Sequence, residues 1–202
     1  MSIARKFDPI SVDNYLEGEQ SAECKHEYVA GEVYAMAGAS NAHNRIASNV
    51  TGVLYSQLRG NPCDVFNSDT KVRVRAQTGI RFFYPDAMVV CKPNPADDHF
   101  QDQPVIIVEV VSQSTRRTDM GEKKESYLQF PTLDTYILFE QSSAAAIVFQ
   151  RNGNGTFERT SYVGVDARIP TPSIDSEIAL SEVYENIDFV AAEENDGNEA
   201  FR

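Results

Sequence analysis

The spacing of apolar positions changes several times along this chain, and each change marks a predicted element. Val12 to Glu19 reads as a short helix. Glu27-Tyr28-Val29-Ala30-Gly31-Glu32-Val33-Tyr34-Ala35-Met36 reads as two short strands folded about Ala30-Gly31. From Asn41 to Arg59, Ile46, Val50, Val53, Leu54 and Leu58 recur at helical spacing, and Gly60 supplies a C-terminal stop. Lys71-Val72-Arg73-Val74-Arg75 alternates strictly, which predicts a strand with one basic and one apolar face.

Two apolar runs follow, each interrupted by one acid. Asp86 stands between Phe82-Phe83-Tyr84-Pro85 and Ala87-Met88-Val89-Val90. Glu109 stands between Val105-Ile106-Ile107-Val108 and Val110-Val111. The polar stretch from Lys92 to Gln103 lets the runs lie side by side in one sheet, with strands about 4.7–4.9 Å apart. Further on, Asp119 with Glu122 resembles a capping box opening a helix to about Phe130, stopped by Pro131. Asp134 to Phe139, Ala144 to Gln150 and Thr156 to Val163 read as strands, the last two joined by the turn Asn152-Gly153-Asn154-Gly155. Ser181 to Asn186 reads as a final short helix.

This order predicts an α/β fold in which a mixed sheet is flanked by helices. Consecutive strands are not regularly separated by helices, so a doubly wound nucleotide-binding fold is not expected. No internal repeat or linker is visible. The 202 residues suit one domain, expected over residues 1–190. Residues 191–202 are acidic and expected to form a solvated tail.

Composition narrows the classes. No apolar stretch approaches the roughly 20 residues needed to span a bilayer. The first residues, Met1-Ser2-Ile3-Ala4-Arg5-Lys6-Phe7-Asp8, lack the apolar segment of a secretory signal, so a cytoplasmic location is expected. Cys24, Cys63 and Cys91 are odd in number and show no CxxC pairing, and they are expected to be reduced thiols rather than a disulfide frame or zinc site. A net charge of −12 argues against indiscriminate DNA binding but leaves room for a basic groove on an acidic body.

The two interrupting acids are the first candidates for chemistry. A buried carboxylate must be paired, protonated or bound to a metal, because isolated charge is prohibitive there. Asp86 and Glu109 together make an oxygen-only pair suited to Mg²⁺ or Mn²⁺; the plainer alternative is a strand-end position or a salt bridge to Arg. Lys123 and Lys124 share a helix face with Met120 and Tyr127, where one ammonium can snorkel to water or point at a reacting phosphate. Spacing does not choose between these neighbours. His43 aligns with Ile46, Ala47, Val50 and Leu54, the usual setting of a hydrogen-bonded core histidine. Glu27 and Glu32 flank a hairpin, where acids are commonly just solvated. Lys71, Arg73, Arg75, Arg81, Arg116 and Arg117 are candidates for lining a phosphate-tracking groove, or are simply an exposed basic face. Walker-type glycine loops, GxSxG and HExxH are absent.

Pro85-Asp86, then Val108-Glu109-Val110-Val111-Ser112, then Ser114-Thr115-Arg116-Arg117-Thr118-Asp119-Met120-Gly121-Glu122-Lys123 with Tyr127, resembles the Uma-two-type restriction endonucleases of the PD-(D/E)xK nuclease superfamily. The upstream segments Glu27 to Val33 and Met36 to Ser40 with His43, and the downstream Leu133 to Phe139, fit the same pattern. The resemblance covers roughly residues 10 to 190 and implies a restriction-endonuclease-like core with a Mg²⁺ (or Mn²⁺) centre acting on DNA. It implies Asp86 as metal ligand, Glu109 as the acid of the (D/E)xK element, and Glu27 and His43 as supporting residues. The superfamily's lysine position is Val111 here, so the resemblance assigns the lysine role to Lys123 of the following helix. The missing lysine at 111 and the acidic surface also admit a catalytically inactive binding or regulatory protein. Strand edges after Tyr136 suggest a homodimer.

Overall fold

The computed structural model describes residues 8–112 and 114–189, so the expected acidic tail at 191–202 lies outside the described residues. Helix α1 (Val12–Glu19) opens on Ser11, whose side chain caps the Asn14 N–H. The hairpin β1 (His26–Val29) and β2 (Glu32–Ala35) follows. Its turn places Ala30 at φ 49° and Gly31 at φ 107°, and a β-carbon on Gly31 would fall 2.5 Å from Pro9 Cβ, so only glycine fits. Helix α2 (Asn41–Gln57) is capped by Ser40, which accepts the His43 N–H.

Six strands come next: β3 (Asp64–Asn67), β4 (Lys71–Ala76), β5 (Gly79–Phe83), β6 (Ala87–Val90), β7 (Phe100–Gln101) and β8 (Pro104–Val111). The third helical stretch has α3 (Arg116–Thr118), a π-helical turn at Asp119–Lys123, and α4 (Lys124–Tyr127). The chain then forms β9 (Thr135–Glu140), β10 (Ala145–Arg151), β11 (Phe157–Val163), β12 (Arg168–Thr171), β13 (Ser176–Ala179) and α5 (Leu180–Val183). Two larger sheets result, ordered β2-β1-β5-β4-β7 and β11-β10-β9-β8-β6-β3, beside the β12–β13 pair. The second is mixed, since β8 runs antiparallel to β6 but parallel to β9.

Alternation along the central strands explains the layering. One face of the second sheet carries Ile106, Val108, Val110, Ala87 and Val89 against Ile46, Val50 and Leu54 of α2. The other carries Ile107, Val111, Met88 and Val90 against Val72, Val74 and Phe83 of the first sheet, joined by Tyr127 and Phe130. A strand buried on both faces has no polar face to display, which is why these runs are nearly continuous in apolar residues. The far face of the first sheet packs Tyr28 and Phe82 against Tyr15 of α1.

Several elements depart from expectation. The run Phe82–Val90 is two strands in two sheets, with Tyr84-Pro85-Asp86 as the crossover between them. Pro85 has no N–H for a ladder, so pairing breaks there. Asp119 is inside a helix (φ −67°, ψ −39°), not at its cap, because the helix begins three residues earlier at Arg116. Strands β3, β12 and β13 have too few apolar residues to show a period. The reduced-thiol expectation is also overturned for two cysteines. Asp64 pairs with Val90 in the β3–β6 register, which sets Cys63 opposite Cys91, and these two are disulfide-bonded. Cys24 is free and exposed. Among the described residues no helix is long and apolar enough to cross a membrane.

Candidate active site

Strand register brings the two interrupting acids together. Ala87 lies opposite Val108, so Asp86 and Glu109 occupy the next position across the antiparallel pair. Asp86 Oδ2 accepts the Val110 N–H at 2.7 Å, and Oδ1 lies 2.9 Å from His43 Nε2. The carboxylate is thereby held by the neighbouring strand and by the first turn of α2. Burial pushes the His43 imidazole pKa down, but its hydrogen bond to Asp86 and that residue's charge prevail and raise it.

Glu109 shares its sheet face with Ile107 and Val111 and is almost fully buried. Its Oε1 accepts from Tyr127 Oη at 2.9 Å and from Lys123 Nζ at 3.3 Å. Lys123 Nζ is also 2.8 Å from Glu27 Oε1 and 3.7 Å from Asp119 Oδ1. The Glu27 oxygen is buried, and this close ion pair with Lys123 is what meets it. Burial works against the Lys123 ammonium, yet Glu109, Glu27 and Asp119 raise its pKa above the ordinary lysine value. It remains charged.

The π-turn sets this geometry. Its wider i→i+5 winding, at Gly121, turns Asp119 and Lys123 into the core together, four residues apart. Lys124 points elsewhere, 5.6 Å from the Phe149 ring, so the choice left open by spacing falls on Lys123. Asp119 is the residue that sequence reasoning missed. Its backbone oxygen accepts from Tyr136 Oη at 3.0 Å, and burial raises the pKa of its side chain. The Asp119–Lys123 spacing was the available signal.

Three carboxylates, Glu27, Glu109 and Asp119, thus surround one ammonium, and Asp86 adds its charge beside Glu109. Burial, aided by Asp119, Asp86 and Glu27 and opposed by Lys123, holds the Glu109 pKa well above the ordinary value. Between the ordinary and the raised value the folded chain binds more protons than the unfolded one, so this group's contribution to stability falls as pH rises. Glu109→Gln should therefore leave the metal-free protein more stable than wild type at neutral pH, since the raised pKa marks a carboxylate that resists ionisation in the fold. The gain should fade as pH drops below about 4, where the acid becomes protonated in the unfolded chain too. Thermal unfolding in chelator across that range measures it, and a destabilised variant at neutral pH would contradict this account.

The basic strand does not form an open track. Lys71 is buried and donates to Tyr84 Oη at 3.1 Å, and burial lowers its pKa. Arg73 is clamped on Asp102 by bonds of 2.7 and 2.6 Å, with Arg75 3.8 Å from the same carboxylate. Alternation showed the basic face but not the acid that folds onto it from the segment before β8. Arg81 bonds Ser126 and Thr78, and Glu32 pairs with Tyr34, away from Lys123. Arg116 is ion-paired with Glu140 and, with Ser112, Ser114 and Gln141, lines a cleft of ≈ 830 Å³ at the carboxyl ends of β8 and β9. Arg117 is exposed. The cleft begins two residues beyond Glu109.

A mixed α/β fold with one acid at the entry to β6, one inside the adjacent β8 and a lysine from the next helix defines the class: a restriction-endonuclease-like fold. The same fold occurs in the crystal structure of "a putative nuclease belonging to DUF820" from Anabaena variabilis ATCC 29413, with a TM-score of 0.68 at 18% identity over 87% of this chain and 98% of that one. The chain belongs to the Uma2 family, "Putative restriction endonuclease", whose pattern matches residues 12–181. Two relatives from Synechocystis sp. (strain ATCC 27184 / PCC 6803 / Kazusa) are similar over most of their length. Uncharacterized protein slr1290 is 30% identical over 91% of this chain and 95% of its own, and uncharacterized protein sll1609 is 29% identical over 79% and 91%.

Proposed function

We propose that this protein is an endonuclease that hydrolyses DNA phosphodiester bonds with Mg²⁺ or Mn²⁺ held by Asp86 and Glu109. The observation that carries the reading is the surplus of buried carboxylate over cation around Lys123. The donor chemistry fits a hard dication. Glu109 uses only Oε1 for its two bonds, and no hydrogen bond reaches its second oxygen among the described residues. Among those residues no three acidic, histidine or cysteine side chains converge into a complete cage. Water and a substrate phosphate oxygen would complete the shell, as is usual for Mg²⁺.

When bound, such an ion polarises a phosphoryl oxygen and makes water a competent nucleophile near neutral pH. The chain's own groups do the rest. His43 and the Val110 N–H fix the direction of Asp86. Glu27, Glu109 and Asp119 keep Lys123 protonated, and its ammonium stabilises negative charge building on the phosphate. Arg116 and the hydroxyls of Ser112 and Ser114 give the adjoining cleft groups that hold a phosphodiester backbone.

The test combines calorimetric Mn²⁺ titration with cleavage of supercoiled plasmid. Saturable Mn²⁺ binding and nicking that stops in chelator are expected. Neither binding nor nicking, with the fold intact, would overturn the reading in favour of a catalytically inactive nuclease-fold protein.

A further inference from the structure

A second set of reactive side chains meets where α1 ends beside β1. Glu19, the last residue of α1, has a buried carboxylate with both oxygens engaged. Oε1 accepts from Tyr84 Oη at 2.8 Å and from the His26 N–H at 2.9 Å. Oε2 lies 3.1 Å from His26 Nδ1. An ionised carboxylate only accepts, so the proton of this contact sits on Nδ1. In the neutral imidazole Nε2 is then the acceptor, and it lies 3.6 Å from Cys24 Sγ.

The arrangement is a thiol, an imidazole and a carboxylate in sequence, with each group oriented by the next. Glu19 cannot swing away without abandoning Tyr84, whose hydroxyl also receives Lys71 Nζ. The ring of His26 is therefore directed, and the thiol at its open nitrogen is exposed to solvent. None of these three residues takes part around Lys123.

We propose that Cys24 is a modification site that exchanges with low-molecular-weight disulfides, with His26 as its base and Glu19 as the positioning carboxylate. His26 Nε2 takes the thiol proton as the Cys24 sulfur attacks one sulfur of the small disulfide. The S–S bond of that molecule breaks and a new one forms to Cys24. The displaced half leaves as a thiolate and recovers the proton from His26. Cys24 is oxidised to a mixed disulfide, the leaving half is reduced to a thiol, and no further oxidant is needed.

Because Cys63 and Cys91 are bonded to each other, thiol titration of the full chain isolates Cys24. With 5,5′-dithiobis(2-nitrobenzoate), wild type should release one thiolate per chain and Cys24→Ser none. At neutral pH His26→Gln should react about tenfold or more slowly, with an unchanged circular dichroism spectrum. Equal rates in wild type and folded His26→Gln would overturn the proposal. If His26→Gln fails to fold, Glu19→Gln carries the same comparison, since its amide oxygen still accepts from Tyr84 but lacks the charge that directs the ring. Incubation with glutathione disulfide should add a single glutathionyl group by mass in wild type, at a rate that falls in the same variant. Failure to form that adduct would equally count against it.

Discussion

Asp86→Asn should lower plasmid cleavage by about 10³-fold or more while the protein stays folded. The amide keeps an oxygen for the Val110 N–H, so the buried donor is not orphaned, and its NH2 faces His43 Nε2, which accepts from it in the neutral imidazole while the charge facing the proposed ion is removed. Asp86→Ala would confound the two effects, because it abandons both Val110 and His43. The accompanying readout is calorimetric: Mn²⁺ binding should disappear in Asp86→Asn with the melting temperature close to wild type. Cleavage retained at wild-type rate would remove Asp86 from the site and end the metal-pair reading.

Lys123→Met should cost about 3–5 kcal/mol of stability, the range for stranding buried charge by removing its partner. Methionine fills the stem of the lysine, so packing changes little, and the loss reports Glu27, Glu109 and Asp119 left without a counterion. The deficit should shrink as pH falls from 7 towards 5, when Glu109 and Asp119, whose pKa values are raised, begin to take protons. Denaturant unfolding at the two pH values measures it. Cleavage should fall as well. A variant as stable as wild type at both pH values would show that the ammonium is not holding these acids.

The Lys123→Met outcome has the opposite bearing from the one expected for Glu109→Gln. Removing an acid relieves the site, whereas removing the base exposes it. A functional centre built on surplus negative charge lowers stability in the metal-free chain, and a dication that neutralises it would stabilise the fold.

What could be read from sequence and what could not divides along physical lines. Asp86 and Glu109 announced themselves because a charge inside an apolar run has few explanations, and the two runs do pair as β6 and β8, with Asp86 just ahead of β6. Helix α2 was visible to within two residues because five apolar positions kept its period. The third helix was harder. Its π-turn has no period of its own, so Asp119 looked like a cap although it is buried beside Lys123. The basic alternation of Lys71, Arg73 and Arg75 was real, but which acid meets it depends on a distant loop and on tertiary packing. The Cys63–Cys91 bond was hidden for the same reason. It follows from the β3–β6 register, and β3 has only Val65 and Phe66 to mark it.

The Tyr84-Pro85-Asp86 crossover has a mechanical consequence. Glu27 belongs to one sheet and Glu109 to the other, and the Lys123 ammonium touches both. The lysine therefore works as a gauge of the spacing between the two sheets. A wedge of about an ångström between them would stretch the 2.8 Å Glu27 contact beyond the reach of a close pair, while Asp86 stays anchored to Val110. A displacement of the first sheet would therefore be felt first at the Lys123–Glu27 contact.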